Sequence, residues 1–283
     1  MNIKVIDYLD ENLVNELYFL SSCCGDYEPF FNLGYEHFLY YDNNKLVGFL
    51  SYLPDENCEN VCEVTALVLP NYRKNGVFSV LLNTAKKHFP NFKFYGNIGK
   101  MLTNSSINKG FYFSEYFMRF SYNDFLSIDW KAIFDNYSKL YILENKVYEL
   151  SFDFSDDDKY YLGYFDEIDS STLDGNNNTI SHNNIVKLNI SIENIDFDEP
   201  VCVCSLDYQI SFTNIYGVFT ESLLRNNGLG CALIYNLIYD YFDNNDNSNK
   251  PLILNVSSTN TNAFKLYKKC GFKKQNRIDY YYI

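Results

Sequence analysis

The sequence predicts an α/β (α+β) protein built from two similar halves. Short runs with strand-like alternation are interleaved with amphipathic runs that have apolar residues at helical spacing. Two blocks, LVLPNYRKNGVFSVLL (67–82) and FTESLLRNNGLGCALI (219–234), align with Arg73 on Arg225 and Gly76 on Gly228. Each block holds the end of a strand, a glycine turn and the start of a helix. Because the flanking runs follow the same order in both halves, the sequence indicates an internal duplication.

In the first half, strand-like runs alternate with two helical ones. The predicted strands are KVIDYL (4–9), HFLYY (37–41), LVGFLSYL (46–53), VCEVTALVLP (61–70), NFKFYG (91–96) and FYFSEYFMRFSY (111–122). The predicted helices are ENLVNELYFL (11–20) and VFSVLLNTAKKHF (77–89). The turn at 42–44, DNN, makes a hairpin of the second and third strands.

The second half follows the same order from its glycine turn onward. The predicted strands are VYELSF (147–152), YYLGYF (160–165), VKLNISI (186–192), VCVCSLDYQI (201–210), TNIYGVFTES (213–222), LILNV (252–256) and RIDYYYI (277–283). The predicted helices are CALIYNLIYDYF (231–242) and TNAFKLYKK (261–269). Residues 123–140 have the polarity of a linking segment with a short helix, and STLDGNNNTISHNN (171–184) is a polar loop.

Composition excludes several classes of protein. The formal net charge is -13, so the sequence lacks the excess of basic residues that is typical of a nucleic-acid-binding protein. An acidic surface attracts cations, which is a weak indication of an amine substrate, although solubility explains the charge equally well. No segment has the ~18 unbroken apolar residues of a membrane span, and the N-terminus lacks the features of a signal peptide. We therefore expect a soluble, cytoplasmic protein without a membrane partner.

The eight cysteines and three histidines do not form a metal-binding pattern. None of the cysteines has a CxxC partner, and the histidines are far apart in the sequence, whereas a zinc site needs paired ligands at short spacing. Cys202 and Cys204 alternate in a strand-like run, where a small buried thiol is the ordinary interpretation. We expect reduced thiols and no metal.

The turn RNNGLG (225–230) opens onto a helix whose first N–H groups are free to bind an anion. Glycines at 228 and 230 allow φ > 0 and close approach of a phosphate. A P-loop needs a lysine after its second glycine, and a Rossmann fingerprint needs a third glycine; neither is present. The spacing Arg225-x-x-Gly228-x-Gly230 fits the pyrophosphate-binding pattern of GNAT acyltransferases, but alone it could equally cap a plain helix.

A second motif decides between these interpretations. Residues 254–272, LNVSSTNTNAFKLYKKCGF, fill every fixed position of L-x-V-x-x-x-N-x-x-A-x-x-L-Y-x-K-x-G-F, the closing signature of that family. The two motifs stand in family order and cover roughly the last 80 residues. The sequence therefore resembles a tandem GNAT-family N-acetyltransferase.

The resemblance implies two GNAT-like domains, each a mixed, mostly antiparallel, twisted sheet flanked by helices. Residues 1–122 would form a degenerate domain, 123–140 a linker and 141–283 the acyltransferase domain with the acyl-coenzyme A site. In the first domain Phe78 stands where the pattern has its last Gly or Ala, and the closing signature keeps only Gly110 and Phe111. We expect this half to shape the substrate cleft or to bind coenzyme A non-productively.

Roles for individual residues also follow from the resemblance. The end of the strand, where it splays from its neighbour, would bind the pantetheine arm through Phe219 and Thr220. The pyrophosphate would lie against the backbone of Asn226, Asn227, Gly228, Leu229, Gly230 and Cys231, with Arg225 adding charge or pointing into solvent. Asn260 would bind the pantetheine, cap the following helix, or do both. Tyr267 would protonate the departing thiolate, although a packing role is the alternative.

No general base is assigned. Glu221 is a carboxylate at the end of the predicted strand, Asp207 lies on the preceding strand-like segment, and ordered water is a third option. In the first half Glu63 lies near a catalytic glutamate position of some relatives, but we favour a surface carboxylate at an edge position.

These observations lead to one main functional hypothesis. It is the transfer of an acetyl group from acetyl-coenzyme A, as cosubstrate, to a primary amine by direct attack in a ternary complex. The acceptor would be a small-molecule or peptide amine. The alternative is a non-catalytic acyl-coenzyme A sensor or pseudoenzyme, and a longer acyl group stays open. The two loops in which we expect acceptor specificity to lie, 22–36 and 170–184, contain no residue pattern that indicates a particular acceptor.

Overall fold

The computed structural model describes residues 2–24, 36–54, 58–97, 110–137, 140–144, 146–155, 160–168, 185–188, 191–243 and 247–283. Most of the predicted acceptor loops, 25–35 and 170–184, and the polar loop at 171–184 lie outside these residues. Within them, no helix combines the length and the apolar character needed to cross a membrane.

The described residues of the first half form five strands and two α-helices. The strands are β1 (Asn2–Ile6), β2 (His37–Asp42), β3 (Lys45–Pro54), β4 (Val61–Val68) and β5 (Lys93–Asn97). The helices are α1 (Glu11–Cys24) and α2 (Val77–His88). The predicted elements of this half are therefore present, with shifts of a few residues at their ends.

The elements from residue 111 onward include two that the sequence did not predict. The strands are β6 (Phe111–Phe120), β7 (Leu140–Leu143), β8 (Lys146–Ser155), β9 (Tyr160–Ile168), β10 (Ile185–Leu188), β11 (Cys202–Tyr208), β12 (Thr213–Thr220), β13 (Leu252–Ser257) and β14 (Lys273–Tyr282). The helices are α3 (Tyr122–Leu126), α4 (Trp130–Tyr137), α5 (Leu229–Asp243) and α6 (Thr261–Lys269). Strand β7 was missed, and the predicted linker contains two helices rather than one.

Contacts divide the chain into two compact units with boundaries that differ from the predicted ones. The first unit is Met1–Ser114 with Ile278–Ile283, and the second is Glu115–Arg277. The predicted linker, 123–140, thus lies inside the second unit, where Phe125 and Trp130 pack among the aromatic side chains of its core. The last residues of the chain belong to the first unit.

In the first unit, neighbouring strands run in the order β1-β2-β3-β4-β5, followed by the end of β14. All pairs are antiparallel except β4 with β5. Apolar side chains of α1 and α2 pack against this sheet, and Leu17, Leu81 and Phe49 are fully buried there. The amphipathic helices therefore bury the apolar faces that their sequence periodicity predicted.

In the second unit the order is β6-β13-β12-β11-β9-β8-β7-β10. Only β12 with β13 and β7 with β10 are parallel. Helix α5 lies across β8, β9, β11 and β12, and its apolar run from Leu229 to Phe242 is almost entirely buried. Both units are thus mixed, mostly antiparallel sheets with flanking helices, which confirms the predicted fold class.

Candidate functional site

The glycine turn of the second unit forms a concave loop in front of α5. A short 3-10 helix, Ser222–Leu224, precedes it, and Asn226 and Gly228 have φ of 67° and 97°. The first intrahelical bond runs from the Ala232 N–H to the Gly228 carbonyl, 3.0 Å apart. The N–H groups of 229–231 precede that bond and have no acceptor within the helix. Together with the helix dipole they can hold an anion.

In the first turn of α5, only backbone atoms are available to bind an anion. Leu229 and Cys231 have buried side chains in the core of the unit. Gly230 is closely surrounded by other residues. A Cβ at this position would lie 3.4 Å from a methyl group of Leu266 and 3.5 Å from the Thr220 hydroxyl oxygen. The end of β12, the start of α5 and α6 therefore meet at Gly230.

Arg225 contacts the end of β12 and is exposed to solvent. Its Nε donates to the Thr220 carbonyl at 3.0 Å, and its guanidinium lies 5.8 Å from the Phe219 ring centroid. Glu221 beside it accepts a hydrogen bond from the Ser222 hydroxyl at 2.7 Å. That bond, with a smaller contribution from Arg225, lowers the pKa of the Glu221 carboxyl. A lowered pKa makes Glu221 a weaker general base.

Strand β12 carries a bulge, which the sequence did not predict. Its register with β11 shifts between the pairs Val203–Phe219 and Ser205–Tyr216, so two residues, Gly217 and Val218, face Cys204 alone. Gly217 has a φ of 60°, which favours glycine. A bulge interrupts the hydrogen-bond ladder and leaves backbone groups unpaired.

The same strand separates from its parallel neighbour. In the described residues β12 pairs with β13 only at Thr213–Leu252 and Asn214–Ile253, although β12 continues to Thr220 and β13 to Ser257. The predicted splay of this strand is therefore present. The gap opens towards the glycine turn, and the bulge lies along one of its sides.

Tyr267 lies on α6, buried in the core of the second unit. Its ring makes an edge contact with Phe272 at 6.1 Å between centroids. Burial raises the pKa of its phenol, and the thiols of Cys204 and Cys270 act in the same direction. The phenol therefore stays protonated at neutral pH. A protonated phenol can donate a proton to a sulfur anion.

Asn260 caps α6, as one of its two predicted roles requires. Its side-chain oxygen accepts a hydrogen bond from the Ala263 N–H at 3.1 Å, and the residue is exposed. Asp207, the other carboxylate considered, lies on β11 opposite Asn214, and one of its oxygens accepts from the Gln209 amide at 2.8 Å.

The first unit repeats the turn. A 3-10 helix, Pro70–Tyr72, precedes it, and Lys74 and Gly76 have φ of 65° and 81°. Arg73 Nε donates to the Val68 carbonyl at 3.0 Å, the same contact that Arg225 makes with Thr220. The backbone of the glycine turn is therefore present twice.

The surroundings of the two turns differ. Phe78, in the place of Gly230, packs against the core of the first unit. Strand β4 pairs with β3 in continuous register from Val68 to Cys62, without a bulge. The separation of the strands is shared, because β4 pairs with β5 only from Val61 to Glu63 although β4 continues to Val68. Glu63 pairs with Leu53 on one side and Tyr95 on the other, so the edge position expected for it was wrong.

Two regions of the chain match one family. The sequence model of the acetyltransferase (GNAT) family aligns with residues 8–112 and 195–272. The chain belongs to the GNAT family. The two matched regions contain the two glycine turns, which agrees with the tandem organisation that the sequence predicted.

Solved GNAT structures share this fold over nearly the whole chain. A tandem GNAT protein from the clavulanic acid biosynthesis pathway is 11% identical, with a TM-score of 0.62 over 100% of this chain and 98% of that chain. A GCN5-related N-acetyltransferase from Sphaerobacter thermophilus is 11% identical, with a TM-score of 0.59 over 99% and 95%. A GNAT-family acetyltransferase from Colwellia psychrerythraea is 11% identical, with a TM-score of 0.56 over 100% and 99%. A comparison with curated proteins found no match.

Proposed function

We propose that this GNAT protein transfers an acetyl group from acetyl-coenzyme A to a primary amine, and that the second unit does so. One observation supports this most directly. The glycine turn, the gap between β12 and β13 and the bulge at Gly217 follow one another along β12 and the start of α5, and α6, which carries Tyr267, meets them at Gly230 through Leu266. In the first unit the turn is repeated and β4 also separates from β5, but β4 has no bulge and Phe78 stands in the place of Gly230.

Each part would have one role in binding. The N–H groups of 229–231 would hold the pyrophosphate, and Arg225, fixed on the Thr220 carbonyl, would add positive charge beside it. The pantetheine arm would lie in the gap, against unpaired backbone groups of β12 beyond Asn214. A free N–H at the bulge would polarise the thioester carbonyl, which is the usual role of backbone donors in acyl transfer.

The transfer itself needs two proton movements. The neutral amine nitrogen attacks the thioester carbon, a C–N bond forms and the C–S bond breaks. Tyr267 would give its hydroxyl proton to the departing sulfur, and the amine would lose its proton to water. We assign no carboxylate as base, because Glu221 has a lowered pKa and Asp207 is engaged with Gln209. Holding both reactants together would supply much of the acceleration.

The decisive experiment is release of the coenzyme A thiol with acetyl-coenzyme A and a panel of primary amines. We expect amine-dependent release. Replacement of Tyr267 by Phe keeps the ring that contacts Phe272, so the fold should persist. The turnover number should fall about 100-fold, the usual effect of losing a general acid, while the KM for acetyl-coenzyme A stays the same. Unchanged turnover would show that Tyr267 is only a packing residue.

The second candidate is a sensor that binds acyl-coenzyme A without turnover. The observation that favours it is the lack of an evident base at the gap among the described residues. Calorimetry would separate the two. Binding of acetyl-coenzyme A with no thiol release for any amine would support the sensor, whereas amine-dependent release excludes it.

A further inference from the structure

The two faces of the second unit's sheet differ in what covers them. Helix α5 packs on one face, where the Tyr241 hydroxyl lies 2.8 Å from the Thr213 hydroxyl and Asp240 accepts a hydrogen bond from Tyr161. Side chains alternate along a strand, so the neighbours of Thr213 and Tyr161, namely Asn214 and Tyr160, project from the opposite face. We call this opposite face, with Tyr160, Ser205, Asp207, Asn214 and Tyr216, the open face.

Two exposed tyrosines flank a serine on the open face. Tyr160 of β9 pairs with Ser205 of β11, which pairs in turn with Tyr216 of β12, so the three lie in one row across three strands. Tyr160 is 40% exposed and Tyr216 is 51% exposed, while Ser205 is buried between them. Neighbouring strands are ~4.8 Å apart, which separates the two tyrosines by about 10 Å. A cation between the rings would lie about 5 Å from each, within the range of a cation–π interaction.

A carboxylate lies beside this row. Asp207 is two residues along β11 from Ser205, about 7 Å further by the rise of a strand. The Gln209 amide holds one of its oxygens at 2.8 Å and so orients the carboxylate. Arg119 projects from the same face in register with Ile253, but it and Asp207, both described, form no ion pair. Asp207 thus keeps its negative charge available for a ligand.

The row lies next to the place where the acetyl group would be transferred. Tyr216 directly precedes the bulged residue Gly217. On the α5 face the residue opposite the bulge, Cys204, is buried in the core of the unit. Among the described residues, the approach to the bulge that the core leaves free is therefore from the open face.

We propose that the open face binds the acceptor, and that the acceptor is an aliphatic diamine or oligoamine. One nitrogen binds as a cation between the rings of Tyr160 and Tyr216, next to the bulge; it gives one proton to water, and the neutral amine that results is acylated. A second nitrogen, charged, lies on Asp207. This inference rests on the proposed acetyl transfer and specifies its substrate class. The spacing of about 7 Å between Ser205 and Asp207 fits two nitrogens joined by a short carbon chain.

The test uses butane-1,4-diamine and butylamine, which have the same carbon chain but differ in the second charge. Calorimetry with the full chain saturated with coenzyme A measures binding without turnover, and initial rates give KM and kcat. We expect the diamine to bind at least tenfold more tightly than butylamine, which corresponds to ~1.4 kcal/mol. Replacing Asp207 by Asn should remove that difference, and Tyr216→Leu should weaken both amines about fivefold, as expected for a lost cation–π contact.

Asp166→Asn is the matched control. Asp166 is an exposed carboxylate on β9, six positions along the strand from Tyr160, which is about 20 Å. This variant should bind both amines like the unaltered protein. Equal affinity for the two amines, tighter binding of a peptide N-terminus, or an Asp207→Asn variant that behaves like the control would overturn the inference and leave the proposed transfer intact. Failure of acetyl-coenzyme A to bind would overturn both.

Discussion

At the scale of single residues, Asn260 shows how one side chain can be placed for two purposes. Its side-chain oxygen accepts a hydrogen bond from the Ala263 N–H, which satisfies one of the free N–H groups in the first turn of α6. Its amide nitrogen is not needed for the cap, and the residue is exposed at the carboxyl end of β13, on the side where the gap opens. The capping role follows from the geometry, and a contact with pantetheine remains part of the proposal.

Two replacements separate these roles. Asn260→Asp keeps a capping oxygen and removes the amide donor, whereas Asn260→Ala removes both. We expect Asn260→Ala to lower the free energy of unfolding by about 1 kcal/mol, while Asn260→Asp leaves it nearly unchanged. Urea denaturation measures this. If the amide binds pantetheine, both variants raise the KM for acetyl-coenzyme A; a normal KM in the Asp variant would restrict Asn260 to capping.

The residues of the turn and of the closing signature could be predicted because each motif is local in sequence. The positions of Arg225 and Phe219 could not. Arg225 folds back on Thr220, and Phe219 and Thr220 point to opposite faces because they are neighbours on a strand. The alternation follows from the predicted strand, but which face each side chain occupies, and the contact of Arg225, are known only once the strand is paired with β11.

At the scale of elements, β12 and β4 show how two copies of one strand differ. Both end in the same turn, with an arginine on the carbonyl of the last strand residue. The bulge is present only in β12, where Gly217 takes a φ of 60°. Gly217 corresponds to Thr65 when the two turns are aligned, and Thr65 pairs regularly with Ser51. The bulge therefore depends on glycine at this position.

Exchanging these two residues tests the bulge. In the variant Gly217→Thr, a β-branched residue at positive φ costs about 1–2 kcal/mol, and its Cβ would lie 3.3 Å from the Ser205 hydroxyl. We expect a loss of at least tenfold in kcat/KM for acetyl-coenzyme A, or about 1.4 kcal/mol. The matched variant Thr65→Gly should lower stability by about 0.5–1 kcal/mol and leave the rate unchanged. Equal rates in the two variants would contradict a role for the bulge.

Strands and helices with clear periodicity could be predicted, but pairing could not. A glycine within a strand is a known signal of a bulge, and Gly217 was the only hint of this one. Strand β7 has only four residues and begins at Leu140, soon after α4 ends at Tyr137. Its short apolar run could not be distinguished in the sequence from the apolar residues of that helix. The pairing partners of β14 lie far away in sequence, which no local pattern reveals.

At the scale of the whole molecule, the core of the second unit holds several buried phenols and thiols. Tyr141, Tyr161 and Tyr267 are all buried in its core. Burial raises the pKa of each phenol. It also raises the pKa of the Cys202 thiol to about 12. These groups are neutral in the folded protein and ionise more easily once it unfolds.

The expected consequence is instability in alkali. Because the folded-state pKa values are raised, the folded protein binds more protons than the unfolded chain at high pH. The stabilising contribution is complete below about pH 9, the ordinary pKa of a thiol, and is lost as the pH rises towards 12. Each such group can contribute up to ~1.4 kcal/mol per pH unit in that interval. Urea denaturation between pH 7 and 11 should show a steep fall above pH 9, and a constant free energy of unfolding would contradict it.

The membership of the final residues in the first unit limits how the protein can be divided for experiments. Tyr280, Tyr281 and Tyr282 pair with β5, and Tyr280 stacks on Phe113 with ring centroids 4.4 Å apart. A fragment ending before residue 278 would leave β5 with an unpaired edge and would uncover the aromatic rings of Tyr95 and Phe113. Such an edge invites association with other chains. Expression of an isolated N-terminal half is therefore expected to give aggregates, and both units should be studied in the intact chain.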